Sequence, residues 1–280
     1  MKKFGLLICS ASLTVAILIL PGRPVVMADP PTVAEAEAIQ MERIARLIFH
    51  NECGGREACL TTWNKGEAFA SLGIGHFIWY PQGTPESGKH FSESFPKLIH
   101  FMRQQRVEIP AWIRADKGCP WPDRTAFENA QKSRKMINFR YFLIKTMPFQ
   151  AVFMQNRLKK ALPLILTHVP EDWRSHIRRQ FERVETAPMG MYALMDYVNF
   201  KGEGVNPKER YQSQGWGLLQ VLEHMQGTEP GMAAIKAFAV TADRLLTRRV
   251  ARSPPERHES RWLPGWRKRL MSYAAEAQKY

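Results

Sequence analysis

Apolar positions along this chain recur mostly at helical spacing. Over residues 33–51, Ile39, Ile44, Leu47 and Ile48 fall on one side of a predicted helix, and Gly54-Gly55 follow as a stop. Glycines then punctuate residues 53–85, and residues 70–80 are rich in apolar and aromatic side chains, which predicts short strands or a hairpin. A helix is expected over residues 92–107, with Pro96 tolerated in its first turn. Residues 110–122, rich in Pro and Trp, read as a linker. Helical periodicity returns over 125–166, with breaks expected near Pro148 and Pro163. Further helices are predicted over 171–184, 187–200, 214–225 and 231–252, then an irregular stretch over 254–264 and a closing helix over 266–279. No internal repeat or low-complexity tract interrupts this order. The pattern predicts a mainly α (α+β) chain with a small β element near residues 60–80.

The first residues follow a different logic. Met1-Lys2-Lys3, an apolar run from Phe4 to Leu20, then Pro21-Gly22 and Val26-Met27-Ala28 form the pattern of a secretory signal, with cleavage expected after Ala28. Export to the periplasm or the medium is therefore expected, with residues 29–280 as the mature domain. No later apolar stretch is long enough to span a bilayer. Removal of residues 1–28 takes away three bases and no acid, lowering the formal charge from +14 to +11. A basic exported protein concentrates near polyanions, which outside the cytoplasm are wall polymers and anionic envelope surfaces rather than nucleic acid.

Cys53, Cys59 and Cys119 would remain in the mature chain. An oxidising compartment favours one pair with one thiol left over. Cys53 and Cys59 close a short loop, and Cys119, in a turn-rich stretch, is an alternative partner for either. Metal binding is the weaker reading of these cysteines, because no Cys-x-x-Cys and no cluster of histidines accompanies them. Neither a metal nor an organic cofactor is implied.

The densest collection of reactive side chains is Asn51-Glu52-Cys53-Gly54-Gly55, followed by Asn64, Glu67, Ser71 and Gly73-Ile74-Gly75-His76. A helix that ends at Glu52 projects its carboxyl group towards the Gly-rich turn. The negative end of the helix dipole and apolar neighbours would both disfavour ionisation there. A carboxylic acid kept protonated near neutral pH is the group that protonates a glycosidic oxygen.

This stretch resembles the phage-type lysozymes, in which a helix ends in a catalytic Glu and a β element leads into Gly-Ile-Gly-His or a close variant. The resemblance implies a two-lobed lysozyme-like fold, with residues 81–185 as an extra helical insertion. It places Glu52 as proton donor, Ser71 where the family has Thr, and His76 as a residue that orders the loop. Two later segments follow the family's order: residues 193–204, where a helix leads into Asn199-Phe200-Lys201-Gly202-Glu203-Gly204, and Leu245-Leu246-Thr247-Arg248-Arg249. One departure stands out. Thr61 occupies the position expected for the second carboxylate, and the nearest downstream carboxylate is Glu67. Glu67 with Ser71 would then place the attacking water, as inversion requires. Alternatively a single Glu acts, as in lytic transglycosylases.

Trp79, Tyr80, Asn64, His76, Asn199, Gln214 and Trp216 are candidate sugar contacts, since pyranose faces pack on aromatic rings and hydroxyls bond amides. The function expected is cleavage of β-1,4 bonds in peptidoglycan or a related aminosugar polymer. The alternative is a non-catalytic wall-binding or envelope interaction protein that keeps the cleft without the chemistry.

Overall fold

A computed structural model describes residues 32–280; the signal expected over residues 1–28 lies outside them. Helix α1 (Val33–Cys53) begins with a reciprocal cap. The Thr32 hydroxyl accepts from the Glu35 amide at 3.3 Å, and the Thr32 amide donates to the Glu35 carboxylate at 2.8 Å. The helix ends where Gly54 adopts φ +57°, a left-handed conformation that glycine takes without a Cβ penalty. Met41, Ile44, Ala45 and Ile48 form its buried stripe, whereas Ile39, expected on that face, is 62 % exposed near the start.

A three-stranded antiparallel sheet follows in the order β1 (Thr61–Thr62), β2 (Ala70–Leu72), β3 (Phe77–Trp79). Thr61 pairs with Leu72 and Thr62 with Ser71; Ser71 in turn faces Ile78. The chain is thus mainly helical with a small antiparallel sheet, in the place the glycine spacing indicated.

Helix α2 (Phe95–Gln104) carries its proline in the first turn. Residues 110–122 are not a linker. The Cys119 amide donates to the Tyr80 carbonyl at 2.8 Å, and Ile113, Cys119 and Trp121 are buried. Trp112 packs edge-on to Phe139, and Trp121 to Phe127. Aromatic bulk thus binds the segment to the core despite its turn-rich composition.

The long periodic region divides into α3 (Arg124–Asn129), α4 (Arg134–Lys145) and α5 (Met147–Leu166). The division before α5 falls at Thr146, with Pro148 tolerated in the first turn. Pro163 lies inside the helix and does not break it: burial of Ala161 and Ile165 holds the last turn. Helices α6 (Glu171–Glu185), α7 (Gly190–Lys201), α8 (Leu218–His224), α9 (Met232–Arg252) and α10 (Leu263–Ala277) complete the fold.

Helix α7 is buried nearly all round, contacts α5, α6, α8 and α10, and carries Asp196 in its middle with no exposed surface. Buried apolar residues from Met41 to Ala277 form one cluster, to which residues 81–185 contribute Phe95, Phe139 and Ala151. Among the described residues, no helix is long and apolar enough to cross a membrane.

Candidate functional site

Helix α1 delivers Glu52 one residue before its end, and three other parts of the fold meet its carboxylate. From α10, Arg269 donates through Nη2 to Glu52 Oε1 at 2.6 Å. From α7, Asn199 Nδ2 donates to the same oxygen at 3.0 Å. From the β2–β3 turn, His76 Nδ1 lies 3.8 Å from Oε2. The Glu52 side chain retains 13 % exposure and that of Arg269 8 %.

Arg269 is itself anchored from behind. Its Nε and Nη2 donate to the two Asp196 carboxylate oxygens at 2.6 and 2.8 Å, and the Tyr273 hydroxyl donates to Asp196 Oδ2 at 2.6 Å. One planar guanidinium therefore bridges two carboxylates, one wholly buried and one facing the surface. Asp196 and Asn199 lie three residues apart on α7, so both point to the same side.

The turn that carries His76 is fixed by a buried glutamine. Gln150 of α5 accepts the Ile74 amide at 2.9 Å and donates to the Leu143 carbonyl at 2.7 Å. A Cβ on Gly73 would collide with the Gln150 amide, and Gly73 has φ +68°. The glycine is required twice over, by conformation and by contact. His76 also adopts a positive φ, +47°.

Electrostatics at Glu52 run opposite to the expectation from its helix position. Burial favours the neutral acid, but the charges of Arg269 and His76, with hydrogen bonds from Arg269 and Asn199, outweigh it and hold the carboxyl below its ordinary value. Glu52 is therefore an ionised carboxylate in the resting protein near neutral pH.

Lys201, at the end of α7, is the other perturbed group. Its Nζ lies 3.8 Å from the Phe200 ring centroid and 3.6 Å from that of Trp266. The ring faces favour a cation, yet burial, Arg249 and Arg269 push the amine down to about 6. The lowered direction prevails because desolvation and two like charges oppose contacts that are modest singly.

The remaining sequence candidates lie apart from this cluster or beneath the surface. Asn64 Nδ2 donates to Glu67 Oε2 at 3.1 Å in the β1–β2 turn. Ser71 is buried in β2, and among the described hydrogen bonds neither it nor Glu67 reaches Glu52. Trp79 and Tyr80, expected as sugar contacts, are core residues: Trp79 has no exposed surface and packs on Phe95, and the Tyr80 hydroxyl accepts the Phe91 amide. Trp216 is likewise buried, its ring 4.1 Å from the Arg249 guanidinium, and Gln214 bonds Tyr211 through their backbones.

Arg249, in the 245–249 segment, is engaged by Glu259 at 2.7 and 2.8 Å. Sequence reasoning missed Asp196, Lys201, Arg269 and Tyr273. One signal was available, because an acid inside the densely apolar α7 requires a buried cation. Cys53 and Cys59 form a disulfide directly after Glu52, and Cys119 is a buried thiol pushed up to about 12 by burial. Compared with known proteins, this chain matches no family model, no curated protein and no solved structure.

Proposed function

We propose that the chain is an exported, lysozyme-like enzyme that cleaves β-1,4 bonds of peptidoglycan or a related aminosugar polymer, with Glu52 as the proton donor. The observation that carries the reading is the Glu52 carboxyl itself: partly exposed at a helix end and held by side chains from α7, α10 and the β2–β3 turn. Positioning from several elements is what proton transfer to a bound oxygen demands. Asp196, fully buried and bonded to Arg269 and Tyr273, serves as the anchor of Arg269 and is closed to substrate. Glu52 is then the one carboxylate of the cluster open to a glycan, which favours the single-carboxylate route in which a substrate hydroxyl closes on the anomeric carbon.

The Arg269 pairing sets the pH dependence. A proton donor whose carboxyl is held below its ordinary value is charged with its proton only as the pH falls, so cleavage should rise from neutral towards acid pH until the fold fails. The test is product release from purified peptidoglycan across pH 4–8 by the parent and by Glu52→Gln. Acid-favoured release by the parent and none by the folded variant supports the reading. A terminal anhydro sugar in the products supports the single-carboxylate route, and a reducing end supports hydrolysis.

The same ion pair favours a second reading, a wall-binding protein without chemistry, because it keeps Glu52 ionised at rest. Sedimentation of both proteins with sacculi, and no product at any pH, would establish that reading in place of the first.

A further inference from the structure

The Cys53–Cys59 disulfide lies between the end of α1 and the short 3-10 turn Glu57–Leu60, with a histidine against it. His76 presents its two ring nitrogens to different partners: Nε2 is 3.6 Å from Cys59 Sγ, and Nδ1 is 3.8 Å from Glu52 Oε2. The donor atoms of Cys53, Cys59 and His76 all lie within 4.8 Å of one another.

We infer that, once the disulfide is reduced, Cys53, Cys59 and His76 form a zinc site with Glu52 as the outer partner of the histidine. Zinc takes thiolate at about 2.3 Å and imidazole at about 2.0–2.1 Å in a tetrahedron, so its sulfur and nitrogen ligands stand about 3.6 Å apart. Cys59 and His76 already have that separation. The two sulfurs need only swing apart on their Cβ atoms, and Gly54 and Gly55 between them have open space around their backbones.

The imidazole sits as metal-bound histidines often do, one nitrogen beside a prospective ligand sulfur and the other 3.8 Å from a carboxylate oxygen, a gap that a small shift would close to a hydrogen bond. His76 retains 34 % side-chain exposure, which leaves an entry route. The chemistry balances with one external reductant, a dithiol. A dithiol reductant passes two electrons and two protons to the Cys53–Cys59 bond and becomes a disulfide itself. Zinc then displaces the two thiol protons to solvent as both thiolates bind.

The experiment uses the full chain, reduced by a phosphine, desalted without air and titrated first with cobalt(II) and then with zinc. The expected result is one equivalent of cobalt with thiolate charge-transfer and tetrahedral ligand-field bands, displaced by zinc. The oxidised protein, which keeps the buried Cys119 thiol, should show neither. Cys53→Ser should abolish the bands, His76→Ala should weaken binding at least about tenfold, and Glu52→Gln should weaken it by about tenfold through loss of the outer partner. No stoichiometric cobalt uptake by the reduced chain, or equal uptake by the oxidised chain or Cys53→Ser, would overturn the site. Unchanged affinity in His76→Ala would overturn it too, and unchanged affinity in Glu52→Gln would remove Glu52 from it.

Discussion

Burial and charge pull the Glu52 carboxyl in opposite directions, and the Arg269 guanidinium decides the contest. The pairing has a stability consequence with a definite sign. Because the folded value lies below the unfolded one, about 4.3, the stabilisation is present above that pH and lost as the pH falls through the folded value. Thermal melts should therefore show the parent losing more stability than Glu52→Gln between neutral pH and pH 3. Arg269 has a larger role, since Asp196 has no access to water. Arg269→Met leaves that carboxylate buried with Tyr273 as its remaining partner, and urea unfolding should show a loss of about 3–5 kcal/mol. Lys201 carries the opposite expectation. Its amine falls to about 6 in the folded chain, so the unfolded chain binds the extra proton from there up to its own value near 10.4. Stability from this position rises with pH across that window, by at most about 1.4 kcal/mol per pH unit. Lys201→Met should stabilise the protein at pH 7, and the gain should shrink by pH 9. Little of this was legible beforehand. The chain shows Glu52 at a helix end, but 217 residues separate it from the arginine that sets its charge.

Helix α5 illustrates how one element can govern a distant turn. Gln150 supplies the acceptor for the Ile74 amide and fills the space beside Gly73. Gln150→Leu keeps the bulk but leaves that amide unpaired, with an expected cost of about 1–3 kcal/mol in chemical denaturation. His76 would also lose its fixed place, so product release should fall further than the stability change explains. The existence of most helices and of the small sheet was legible, because periodicity and glycine spacing are local properties. Boundaries moved wherever tertiary packing overrode a local signal. Pro163 costs one backbone bond that the buried last turn of α5 offsets, and Trp112 and Trp121 bind a Pro-rich stretch that composition alone marks as a linker. Ser71, Trp79 and Tyr80 show the same limit from the other side: strand position was foreseen, but which face turns inward depends on partners contributed by α2 and the 110–122 segment.

Across the whole molecule, 40 basic against 26 acidic residues give a net positive charge that should draw the chain towards polyanionic surfaces. Sedimentation with wall sacculi should weaken steadily as salt rises from 0.05 to 0.5 M, since exposed charges are screened over about 10 Å at 0.1 M. A specific glycan contact would leave a salt-resistant remainder, and a purely electrostatic envelope binder would leave none. The bridge from α1 to α10 has a consequence for the order of events in synthesis. A chain growing from the ribosome presents the Glu52 carboxylate early and has no guanidinium for it until the segment around Arg269 has emerged. Until then Asp196 has no cation either, and α7 has reason to stay loose. The ion-paired cluster is thus complete only when a late helix has folded back onto an early one.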